Sequence, residues 1–66
     1  MNYDNENDKL VSKDSDMEIY PVNPETQTFK GAKIIEIDMG DSYVRIPIGK
    51  IDELIEGLSM AKKLVL

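Results

Sequence analysis

The sequence has no cysteine, no histidine and no tryptophan, and its one phenylalanine is Phe29. Without cysteine, no disulfide can staple so short a chain and no thiolate metal site can form. Without histidine, the commonest general base and the commonest metal ligand are missing. No apolar run approaches the roughly 18 residues of a membrane-spanning helix. Residues 1–8 are polar and acidic with no apolar stretch, so no secretory signal is expected and the expected location is the cytoplasm. At 66 residues the chain holds at most one domain.

Charge is unevenly placed. Residues 1–25 carry seven acids and two lysines, so the whole net charge of −5 lies there; residues 26–66 carry six acids and six bases. Such an excess of acid repels phosphate backbones and suits solubility or a basic partner. Asn, Asp, Glu, Lys and Ser dominate residues 1–16, where Tyr3, Leu10 and Val11 are the substantial apolar side chains. That composition predicts an acidic disordered tail, followed by a small α+β domain over residues 17–66.

The segment Met17-Glu18-Ile19-Tyr20-Pro21-Val22 predicts a short strand that Pro21 would confine to a sheet edge. Asn23-Pro24-Glu25-Thr26 predicts a turn. Residues 26–30 are β-prone, and Gly31 marks a bulge or a break. The clearest signal is a β-hairpin over residues 33–48, its strands Ile34-Ile35-Glu36-Ile37-Asp38-Met39 and Ser42-Tyr43-Val44-Arg45-Ile46-Pro47-Ile48 flanking Gly40-Asp41. A two-residue loop with Gly first fits a type II′ or I′ turn. Either one sets Ile35 opposite Ile46, Ile37 opposite Val44, and Glu36 opposite Arg45. The apolar four then share one face and the charge pair lies on the other, which is expected to be solvated. From Lys50 onward, Ile51, Leu54, Ile55, Leu58, Ala61, Lys62 and Val65 follow helical spacing. Acids in the first turn and lysines in the last suit the helix dipole. The expected architecture is therefore an antiparallel meander of two to four strands, followed by one C-terminal amphipathic helix packed on one sheet face.

The candidate sites are few. Asp14, Asp16, Glu18 and Glu25 follow the spacing of a calcium loop, but Ile19 stands where the sharp turn needs Gly. Glu36, Asp38 and Asp41 form an acidic group that no second catalytic residue type joins. No catalytic, cofactor or metal residues are expected, and the chain is not expected to be an enzyme. Lys30, Lys33, Arg45 and Tyr43, with Phe29 for stacking, make a small basic surface. Strands followed by a C-terminal helix resemble, in order of elements, the PC4-like single-stranded DNA-binding proteins, which dimerise through that helix. With so few basic residues, nucleic acid ranks below a protein as the partner.

Gly57 and Ala61, one turn apart and flanked by Met60 and Leu64, with Val65 and Leu66 at the end, form a stripe for self-association. A chain this small gains most from a second copy, because its own core is limited. Ile34, Glu36, Tyr43 and Arg45 form a further partner face. The expected function is a small acidic regulatory module of inhibitor or adaptor type, of the sort phage and mobile-element genes encode. It would act by protein–protein contact as a homodimer. The alternatives are a single-stranded DNA-binding module using the hairpin face, or a purely structural accessory subunit.

Overall fold

A computed structural model describes residues 1–23 and 27–66. Its strands are β1 (Asn2–Asp4), β2 (Lys9–Val11), β3 (Glu18–Val22), β4 (Ile34–Asp38) and β5 (Tyr43–Pro47). They form one antiparallel meander in sequence order. A single 3-10 turn, Ile48–Lys50, leads into helix α1 (Ile51–Val65). The class is α+β, with five strands where the sequence suggested two to four.

The β4–β5 hairpin has the expected register, with Ile35 opposite Ile46, Glu36 opposite Arg45 and Ile37 opposite Val44. At its tip Gly40 takes φ +97° while Asp41 stays out of the positive region, as a type II′ turn requires. The Asp38 carboxylate accepts the Gly40 N–H at 2.9 Å, and the Ser42 carbonyl accepts the Met39 N–H at 2.8 Å. Pro47 ends the edge strand β5, where its missing donor costs no ladder bond inside the sheet.

The first sixteen residues differ from the expected disordered tail, because they hold β1 and β2. The Asn, Asp and Ser content that resembles disorder is spent on turns. The Asp4 carboxylate accepts the N–H of Glu6 (3.1 Å) and of Asn7 (3.3 Å), and Asp8 takes a left-handed φ of 50°. The Ser12 hydroxyl accepts the N–H of Asp14 and of Ser15, each at 3.2 Å. Asp8 then ties the N-terminal strands to the rest of the molecule, for its carboxylate accepts the Phe29 N–H at 2.7 Å and the Tyr3 hydroxyl. The β-prone residues 27–30 form no strand. Phe29 instead starts a turn closed by the Ala32 N–H, with Gly31 at φ +80°. The predicted turn at residues 23–26 lies mostly outside the described residues.

Pro21 sits in an interior strand rather than at a sheet edge, and its side chain is fully buried. The edge rule survives locally. β2 pairs only with Glu18 and Ile19, so by Pro21 the β2 side of β3 is already open.

Register places Tyr3, Leu10, Ile19, Ile37 and Val44 in one apolar row across the sheet, with Pro21, Ile35 and Ile46 beside it. The helix does not close over this face as expected. Ile51 and Leu54 are half-buried, and no helix residue is fully buried. The 3-10 turn directs α1 past the sheet edge, so that only its first two turns border the apolar face. Ile46, 7% exposed, is the one buried hydrophobic side chain of the hairpin.

These contacts lead to two expectations. Ile46→Asp removes the best-buried hairpin residue and should abolish the cooperative urea transition, whereas Ile34→Asp, on the polar face, should leave it in place. Deleting residues 1–8 removes β1 and the Asp8 carboxylate, and should lower the midpoint of thermal unfolding by about 5 °C or more.

Candidate functional site

The two faces of the sheet differ in how fully their groups are satisfied. On the polar face, Glu36 is buried at 6% exposure, against the expected solvated position. Its carboxylate accepts the Tyr20 hydroxyl and, at 2.8 Å, the Arg45 Nε–H. β3 supplies the partner that the hairpin alone did not predict, since Tyr20 pairs directly with Glu36. The Arg45 guanidinium also lies 5.9 Å from the centroid of the exposed Tyr43 ring, within cation–π range.

The electrostatics follow from these contacts. The Tyr20 hydrogen bond, then that of Arg45, holds the Glu36 carboxyl below the ordinary glutamate range. The same bond to Glu36, then burial, pushes the Tyr20 hydroxyl up to about 12. Glu36 raises the Arg45 guanidinium in turn. The Glu36 carboxylate thus takes the Tyr20 O–H on one oxygen and the Arg45 Nε–H on the other. A tyrosine raised this far is a poor general base near neutrality.

Register places Ile34, Glu36, Tyr43 and Arg45 of the expected partner face together on the polar side of β4 and β5. Tyr43 and Arg45 flank Glu36, while Ile34 is half-buried and paired with Pro47 at the other end of β4. The expected basic surface is divided. Phe29 is bonded to Asp8 near the β1–β2 turn, and Tyr43 lies on β5 at the opposite edge of the sheet. In the calcium-like spacing, Glu18 is in β3 and meets Lys9 Nζ at 3.2 Å, and Glu25 lies outside the described residues. Among the described residues, no group of three or more acidic, histidine or cysteine side chains is placed to hold a metal ion.

The other face carries a cleft of about 530 Å³. Ile19, Ile37, Val44 and Ile46 floor it, and Leu54 and Leu58 form one wall. The self-association residues expected from the sequence are all exposed: Gly57, Met60, Ala61, Leu64, Val65 and Leu66. The cleft itself was not expected, because the apolar sheet residues were assigned to a core under the helix. Among the described residues, no helix is long and apolar enough to cross a membrane. No family model, curated protein or solved structure matches the chain.

The Glu36 network has a pH signature. Its folded pKa is depressed, so its stabilising contribution is complete above the ordinary value of 4.5 and is lost as pH falls through the lower folded value. Tyr20 has the opposite sign. Its contribution is complete below 10.0 and disappears as pH rises through about 12. Urea midpoints measured against pH should show both limbs. Tyr20→Phe should shrink the alkaline limb to what the Tyr3 hydroxyl, raised by its bond to Asp8, contributes, and move the acid limb to higher pH. An unchanged profile would count against the network.

Proposed function

We propose that this chain is a small, acidic, non-enzymatic protein-binding or regulatory module of inhibitor or adaptor type, encoded by a phage or mobile element. It works in the cytoplasm by protein–protein contact. The observation that carries this reading is the uncovered apolar surface, where a cleft and a helix stripe stand open on a chain with one buried hairpin hydrophobe. Exposed apolar surface of this extent marks a contact site.

The polar face supports a second, heterologous contact. Tyr43 is 64% exposed and stacked by Arg45, and this pair of residue types dominates binding energy at protein interfaces. Single-stranded DNA is the competing ligand for the same two residues. The charge of Arg45 is already paired with Glu36 through its Nε–H, and the net charge of −5 opposes a polyanion.

Capture from the native cell with the full chain tests this reading. Wild type should retain a discrete partner, and Tyr43→Ala should reduce its recovery about tenfold with unchanged circular dichroism, as loss of an interface anchor does. A labelled single-stranded oligonucleotide at low salt should show no binding. Salt-sensitive oligonucleotide binding that Tyr43→Ala abolishes would replace this reading with the nucleic-acid one.

A further inference from the structure

Three observations bear on what fills the cleft. The first is area. The chain exposes 5501 Å², whereas a folded monomer of 7.5 kDa exposes about 4,250 Å². The excess is about 1,250 Å² per chain, or about 2,500 Å² across a two-fold interface, within the roughly 2,000–5,000 Å² of obligate homodimers. The radius of gyration agrees, at 13.0 Å against about 10.8 Å for a globule of this length.

The second observation is pattern. The apolar row of α1 is centred on Leu58, with Ile51 and Val65 equally far to either side, Leu54 four residues before it and Ala61 three after it. At about 100° per residue these all fall on one face. An antiparallel helix related by a two-fold axis at Leu58 would set Leu58 against Leu58 and Ile51 against Val65, and would bring Leu54 within about one residue, about 1.5 Å along the axis, of Ala61. The third observation is charge. Asp52 and Glu53 stand in the first turn of α1, Lys62 and Lys63 in the last. Antiparallel pairing brings Lys62 of the second copy within two residues, about 3 Å along the axis, of Asp52. Parallel pairing would gather like charges at each end.

We propose that the occupant of the cleft is a second copy of this chain, its helix antiparallel to the first and crossing it at Leu58. This rests on reading the cleft as a protein-contact surface. The free half of each helix, where Leu64 is 86% exposed, then lies beside Leu54 and over the apolar sheet face of the other copy. Gly57 and Ala61 lie on the flank nearest that sheet. A Cβ built on Gly57 meets nothing within 4 Å in the single chain, so the glycine answers no packing need of its own protomer. Edge-to-edge pairing of β5 is the poorer alternative. Pro47 cannot donate, and the register that pairs the whole strand places Arg45 opposite Arg45.

The chain has no cysteine, so a single introduced thiol reports on the crossing point. Under mild oxidation Leu58→Cys should become a disulfide-linked dimer, whereas Glu56→Cys, on the outer face of α1, should not. In sedimentation equilibrium of the uncrosslinked full chain, Asp52→Lys and Lys62→Glu should each raise the dimer dissociation constant about tenfold. The double variant should return it to within about threefold of wild type. A wild-type chain that is monomeric yet cooperatively folded at tens of micromolar would overturn the proposal. So would equal crosslinking at both positions, or losses that simply add in the double variant. These outcomes use purified protein alone. A monomer would leave the cleft open to a different protein, and failure to capture a cellular partner would leave the dimer intact.

Discussion

Gly40 at φ +97° allows a two-residue turn, and that turn fixes a register with Ile35, Ile37, Val44 and Ile46 on one side and Glu36 opposite Arg45 on the other. The rest of the molecule depends on this separation. A shift of one residue would turn the carboxylate and guanidinium onto the apolar face and the isoleucines into water. Because β3 pairs with β4 through the whole length of both strands, the separation passes across the sheet, carrying Ile19 to Ile37 and Tyr20 to Glu36. Tyr20 then closes over a carboxylate that the hairpin alone would leave half satisfied. The Glu36 carboxylate is thus satisfied within one chain, while the apolar face is left with more surface than one helix covers.

How much of this was legible in the sequence depended on how local the determining interaction was. The hairpin register and the limits of α1 come from neighbours in the chain, a Gly-led turn and a helical period, and both were readable. The strand that carries Tyr20 and Pro21 was readable, but its interior place in the sheet was not, because pairing with β4, distant in sequence, decides it. The N-terminal strands were missed for a different reason. Three-residue strands give no usable periodicity, and Asp4, Asp8 and Ser12 have the same composition whether they solvate a disordered arm or cap tight turns. The signal that could have separated the cases is the apolar pair Tyr3 and Leu10. Each lies one residue inside a strand and extends the row that continues through Ile19.

The open cleft was invisible for a more instructive reason. An amphipathic helix following an apolar hairpin implies burial, but amphipathicity specifies only that a face is to be covered, not by which chain. The connection decides. Ile48–Lys50 forms a 3-10 turn anchored by the Ile48 N–H on the Lys33 carbonyl at 2.9 Å, and this aims α1 along the margin of the sheet. Ile51 and Leu54 reach the sheet, and the row beyond them runs past it.

The distribution of charge is compatible with the surface left open. Residues 1–25 carry the net charge of −5. Asp4, Glu6 and Asp8 lie around the β1–β2 turn at the edge of the sheet farthest from β5, while Asp14, Asp16 and Glu18 continue through the β2–β3 turn into β3, with Asp16 beside Gly40 at the hairpin tip. Residues 26–66 together are electrically neutral, with Lys30, Lys33 and Lys50 offsetting the acids of the hairpin and α1. Repulsion between exposed charges fades beyond about 8 Å at physiological ionic strength. β1 stands four strand spacings, about 19 Å, from β5, so the acids of the β1–β2 turn are screened from a protein, or a second copy, that covers the β5 and α1 end of the apolar face. The same separation keeps the acidic edge soluble and unpaired, with Asp4, Glu6 and Asp8 around the β1–β2 turn discouraging the strand-to-strand addition that a bare edge invites.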